Sequence, residues 1–166
     1  MGKLTVKSLY LTYDQKEEMS ISIRKVQLPI DGFDLLPQES LAEGHRFIQR
    51  LQEEWVSGSN RFSADGEALY CAFDGTELVA TGGLNQDPFL HSPEIGRIRR
   101  IYVRPSWRRR GIATALISIL LRDAANHFLQ VRLRTENPEA ARLYEGMGFE
   151  PLISPTATHI ISFVNT

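Results

Sequence analysis

The chain has 166 residues, 42% of them hydrophobic and 23% charged, which suits one globular domain with a buried core and excludes a fibrous or low-complexity chain. No apolar run reaches the ~20 residues needed to cross a bilayer, and the N-terminus lacks the apolar stretch of a secretory signal, so a cytoplasmic protein with no membrane partner is expected. The formal charge of -1 hides an asymmetry: residues 1–94 carry 8 basic and 15 acidic side chains, whereas residues 95–166 carry 11 and 5. A basic half suits an anionic ligand, and an acidic half suits a cationic one.

In chain order, residues 1–18 match the remainder of the chain poorly. They are expected to be an extension of uncertain order with a peripheral strand over Leu4–Thr12, ahead of a single domain over 19–166. Alternation over Ile21–Val26 reads as a strand. Leu41, Phe47, Ile48, Leu51 and Trp55 then recur at helical spacing, with Pro37 near the start of that first helical region. Glu67–Phe73 and Glu77–Leu84 read as antiparallel neighbours around Asp74-Gly75, a hairpin signal of type I′. Cys71 lies in this apolar stretch, and a lone buried cysteine is read as packing. After a loop over Asn85–Pro93 comes a strand over Ile95–Val103, closed by Arg104-Pro105. Ile112–Ala125 is an apolar helix and Leu129–Thr135 alternates as a strand. Strand, helix and strand in that order form a right-handed crossover, so the two strands should be parallel. Asn137 reads as an N-cap with Pro138 at the first helical position, Gly148 ends that helix, and His159–Val164 is a last strand.

The turn Ser106–Ala113, Ser-Trp-Arg-Arg-Arg-Gly-Ile-Ala, joins the Ile95–Val103 strand to the Ile112 helix. A helix entrance presents unpaired main-chain N–H groups with the positive end of the helix dipole behind them, so an anion binds there. Gly111, Ile112 and Ala113 bring main chain within reach of phosphate oxygens, and Arg108, Arg109 and Arg110 can add charge-assisted hydrogen bonds.

Arg108-x-x-Gly111-x-Ala113 resembles the Gln/Arg-x-x-Gly-x-Gly/Ala signature of the GNAT superfamily, the Gcn5-related N-acetyltransferases. Asn137-Pro-Glu-Ala140-Ala-Arg-Leu-Tyr144-Glu-Gly-Met-Gly148-Phe149 resembles that family's second half. The resemblance is specific from about Ile95 to Pro151. It implies an α/β (α+β) fold with a mixed, mostly antiparallel central sheet, helices on both faces, and two central parallel strands that splay around acetyl-coenzyme A as cosubstrate. By that resemblance, Arg108–Ala113 and Asn137 would hold the cofactor, main chain near Tyr102 and Val103 would bind the thioester carbonyl, and Tyr144 would face the departing sulfur. No metal is implied.

The expected reaction is direct acetyl transfer to a primary amine of a small molecule or a peptide. An amine with pKa about 10.4 is neutral in only ~0.04% of molecules at pH 7, a shortage worth about 4.6 kcal/mol, so a proton must be removed. Family members often use a glutamate on the strand before the signature, but here that position holds Arg97, which cannot be a base. Glu94, His91 and a water chain are the open alternatives. Arg97 and Arg99 share a strand face and could instead grip a carboxylate or phosphate on the acceptor, a reading opposed by the acidic first half. Two other functions remain open: an acyl-CoA sensor without turnover, which the missing glutamate favours, and a nucleic-acid module, which the pI near 6.4 and sparse aromatic interleaving disfavour. The expected partner is a small-molecule or peptide amine, with a homodimer as an open alternative.

Overall fold

A computed structural model of the chain describes residues 4–9, as a backbone strand, and residues 19–163. Eight strands form one sheet in the order β1-β2-β3-β4-β5-β6-β8-β7. Their ranges are β1 Leu4–Leu9, β2 Met19–Lys25, β3 Ala68–Asp74, β4 Glu77–Gln86, β5 Ile95–Val103, β6 Gln130–Leu133, β7 Glu150–Pro151 and β8 His159–Ser162. Every neighbouring pair is antiparallel except β5 and β6. Part of the N-terminal extension is thus an edge strand paired with β2. The remainder of the Leu4–Thr12 expectation, like the end of His159–Val164, lies outside the described residues.

The helices are α1 Leu35–Ala42, α2 Phe47–Ser57, α3 Ile112–Ala125 and α4 Pro138–Gly146. In α3, Ile112, Leu116, Leu120 and Ala124 recur every fourth residue, and all are buried against β3–β5. With Tyr144 of α4 they form one core layer. On the opposite face, Leu36 of α1 and Ile48 and Leu51 of α2 pack on Leu69, Cys71, Phe73 and Tyr102. Helices therefore cover both faces of the sheet.

Two local expectations are corrected. The first helical region is two helices, because Glu43 closes α1 and Gly44, at φ 86°, turns the chain before α2. In the β3–β4 turn only Gly75 has positive φ, whereas a type I′ turn needs it at both central residues; a glycine in the first central position is the type II′ pattern. The expected end of α4 at Gly148 is met: Met147 is the C-cap, and Gly148, at φ 103°, donates its N–H to Glu145 O at 3.1 Å while Phe149 N–H donates to Tyr144 O at 3.1 Å.

Candidate active site

The parallel pair β5 and β6 meets over only three positions, Ile95↔Gln130, Gly96↔Val131 and Arg97↔Arg132. β5 then runs six residues further, to Val103, while β6 ends at Leu133. A gap therefore opens beside β5 beyond Arg97. Against β4, the register shifts between Thr81↔Tyr102 and Gly83↔Arg99, leaving an extra residue in β5, where Arg100 has φ 63°. Such a bulge bends the strand carrying it and increases its twist.

The register also orients the main chain. Arg104 N–H donates to Val79 O at 2.9 Å, and alternate residues of an antiparallel pair turn their N–H groups toward the partner. Tyr102 therefore turns its N–H to β4, while Val103 and Ile101 turn theirs into the gap. Of the two residues expected to present donors, Val103 turns its N–H into the gap beside that of Ile101, and the Tyr102 N–H faces β4.

Beyond β5 the chain makes a 3-10 turn at Pro105–Trp107 and enters α3 through two left-handed residues, Arg109 at φ 62° and Gly111 at φ 78°. No main-chain N–H from Arg109 through Thr114 donates to a described residue; the first helical bond is Ala115 N–H to Gly111 O at 3.1 Å. At α4, by contrast, Asn137 Oδ1 accepts from Glu139 N–H at 2.9 Å and Ala140 N–H at 3.4 Å. One helix entrance is capped by its own side chain and the other is left open to an outside acceptor. The open one lines a cleft of about 220 Å³ that also touches Val103 and, from α4, Leu143. This arrangement fits an anionic, phosphate-bearing cofactor, with Gly111, Ile112 and Ala113 presenting main chain.

The arginines of the turn are unequal. Arg108 donates through both Nη atoms to Glu43 at 2.6 Å and through Nε to Val103 O at 2.9 Å, so its side chain ties α1 to the end of β5. Arg109 is exposed and makes no side-chain hydrogen bond to a described residue, and Arg110 reaches Met19 Sδ at 3.2 Å. Of the three, Arg109 and Arg110 have no carboxylate partner among the described residues, and Arg109 is the more exposed.

A sequence profile of the acetyltransferase (GNAT) family matches residues 32–149, more than half of the chain. The chain belongs to the GNAT acetyltransferase family. Solved structures agree. A protein from Exiguobacterium sp. 255-15 assigned as an acetyltransferase superposes with a TM-score of 0.76 at 29% identity, over 87% of this chain and 94% of that one. The GNAT domain of PAT from S. lividans gives 0.67 at 11% identity over 97% of both chains. Ard1 from Thermoplasma volcanium gives 0.65 at 16%, over 86% of this chain and 99% of that one. The last two show likeness of fold. No curated protein matches the chain in sequence.

Within this GNAT fold Tyr144 is 7% exposed on α4, its ring edge-on to Phe149 at 5.5 Å, and burial pushes its phenol up to about 12. Its hydroxyl makes no hydrogen bond to a described residue. Glu94 is exposed at the other end of β5, where Leu129 N–H bonds its carbonyl and β5 is still held beside β6. The fold therefore does not bring Glu94 to the gap, and His91 lies in the same distal loop. Arg97 does occupy the floor of the sheet but is spoken for: Nη1 meets Asp87 at 3.4 Å and Nη2 donates to Thr156 O at 2.8 Å. Sequence reasoning missed Glu43, Glu54, Asp87 and Arg132, which reach this region. Glu43 accepts from the Tyr102 hydroxyl at 2.6 Å, and Arg108 holds its carboxyl below the usual range. Glu54 meets Arg100 at 3.0 Å across from α2. Cys71 is fully buried, its thiol pushed up to about 12 by burial, so it packs and does not react.

Proposed function

We propose that this chain is an acetyl-CoA-dependent N-acetyltransferase acting by direct transfer on a primary amine of a small molecule or peptide. The observation that carries the reading is the row of unbonded N–H groups from Arg109 to Thr114 beside a gap that opens along β5. Main chain of that row would hold the pyrophosphate, and the Ile101 and Val103 N–H groups would hold the thioester carbonyl as an added strand is held at a sheet edge. Acetyl-CoA supplies an activated acyl group: the amine nitrogen bonds the carbonyl carbon, the carbon–sulfur bond breaks, and the sulfur leaves with the bonding pair. Tyr144 would donate a hydrogen bond to that sulfur. With the phenol near 12 and a thiol near 8.5, full proton transfer is uphill by about 3.5 units, or ~5 kcal/mol, so the phenol donates without ionising.

The acceptor's proton leaves by water in this reading, because Glu54 and Asp87 each already face an arginine. Reaction then depends on the fraction of acceptor that is neutral, and kcat/KM rises about tenfold per pH unit up to the amine's own pKa. A plateau near neutrality on a simple alkylamine would reveal an enzyme base instead. Among the described residues no helix is long and apolar enough to cross a membrane; a cytoplasmic site of action goes with the lone, buried cysteine.

The test is thiol release from acetyl-CoA with a panel of amines. Release that requires an amine supports the transferase. Tight acetyl-CoA binding with no release for any amine supports the sensor reading, which the arginine in the usual base position favours.

A further inference from the structure

The α2 side of the gap carries more positive charge than it neutralises. Arg132, on β6 opposite Arg97, is 2% exposed; its Nη2 donates to the hydroxyls of Ser154 and Thr156, at 2.8 and 2.9 Å, but Nε and Nη1 make no hydrogen bond. Both buried guanidiniums share one carboxylate: Asp87 Oδ2 lies 3.4 Å from Arg97 and 3.7 Å from Arg132, while its Oδ1 is taken by Phe89 N–H. Arg99 follows on the same face as Arg97, two residues into the unpaired stretch. It is half-buried, forms no hydrogen bond or ion pair with a described residue, and lies close enough to repel both Arg97 and Arg100. Burial and these neighbours, Arg50 of α2 among them, hold Arg100 down to about 10. Four arginines of β5 and β6, Arg97, Arg99, Arg100 and Arg132, thus face two carboxylates, Glu54 and Asp87. Buried N–H groups left unbonded are costly, and uncompensated charge of one sign draws its opposite.

We propose that the acceptor is an amine that also carries an oxyanion, a carboxylate or a phosphate, gripped by Arg99 with Arg97 and Arg132 reinforcing the field behind it. This rests on the transferase reading above. Arg99 and Tyr102 lie opposite Gly83 and Thr81, so across the bulge Ile101 N–H follows Arg99 by less than ~7 Å along the strand, and an amine and an anion separated by a few bonds can reach the thioester and the guanidinium together. The planar fork of arginine suits both oxyanions.

The experiment compares matched acceptors: each amino acid against its amide, and phosphoethanolamine against ethanolamine. Thiol release is followed throughout, and calorimetry measures binding of the same acids with coenzyme A present. The anion-bearing member should show kcat/KM at least tenfold higher, and the two sets report whether carboxylate or phosphate is preferred. Arg99→Gln should raise KM for that acceptor roughly ten- to a hundredfold, shrink the preference, and leave the acetyl-CoA dissociation constant unchanged. Arg99→Lys should recover part of the loss. Equal turnover of acid and amide, or an Arg99→Gln protein that keeps the preference, overturns the proposal. Acetyl-CoA binding without any turnover removes the transferase reading alone. In that case Arg99-dependent calorimetric binding of an acid but not its amide sustains the anion site, and its absence overturns it.

Discussion

A tyrosine phenol is protonated at neutrality in any case, and burial of the Tyr144 ring against Phe149 extends that further into the alkaline range, to about 12. Tyr144→Phe removes one oxygen and leaves the packing, so coenzyme A affinity should hold. Loss of one hydrogen bond to a developing thiolate is worth ~1.5–3 kcal/mol, roughly ten- to two-hundredfold in kcat where chemistry limits. Stopped-time thiol release gives kcat, and no ionisation of this phenol should bend its pH profile below about pH 11. Arg108 is a different case, since its fork holds Glu43 and braces α1 on β5. Arg108→Ala should cost about 1 kcal/mol in urea unfolding, because the pair is partly solvated. Glu43 has its folded pKa lowered by Arg108. Its contribution is therefore present above the unfolded pKa near 4.5 and lost as pH falls through the lower folded value. The stability gap between wild type and Arg108→Ala should close on acidification. Glu94→Gln should leave kcat within about threefold, since Glu94 sits where β5 is still held beside β6; a thousandfold fall would contradict that placement.

At the scale of elements, β4 meets α3 through Gly82 and the segment following α2 through Gly83. A Cβ on Gly83 would lie 2.3 Å from Phe62 Cε1, and Phe62 is 4% exposed beneath Trp55. Gly83→Ala should destabilise by ~1–3 kcal/mol, as overpacking of a full core does, and calorimetric melting reads the loss. α3 was legible residue by residue, because its apolar repeat and the glycine before it are local signals. The break between α1 and α2 was not, although Gly44 stood in view, because Leu41, Ile48 and Leu51 keep a helical spacing across it. The bulge at Arg100 left no sequence trace either: it is a property of the β4–β5 register.

Across the whole molecule, the acidic and basic halves of the chain turn out to be partners. Glu39 and Glu77 hold Arg104, Glu43 holds Arg108, Glu54 holds Arg100, and Asp87 faces Arg97 and Arg132. Each acid comes from residues 1–94 and each arginine from later, so the asymmetry reports internal pairing more than an acidic docking surface. These contacts join residues up to 65 apart, beyond any spacing rule. The same contrast explains which half of the site could be read. The anion cradle is built from consecutive main chain at one helix entrance, so Gly111 and its neighbours announce it. The proposed acceptor side draws on α2, β5, β6 and the loop around Thr156, so only its raw materials, Arg97 and Arg99, were visible.

The claim on which the rest depends is that the open entrance of α3 holds acetyl-CoA. Calorimetric titration of acetyl-CoA into wild type and Gly111→Asp tests it directly, because aspartate tolerates the left-handed backbone better than most residues while placing a carboxylate where the pyrophosphate should lie. Saturable binding is expected for wild type, with a gain of about 2.7 kcal/mol in stability at ~100 times the dissociation constant, and no measurable binding for a Gly111→Asp protein that still unfolds cooperatively. Normal binding by folded Gly111→Asp, or none by wild type at millimolar acetyl-CoA, would contradict the account.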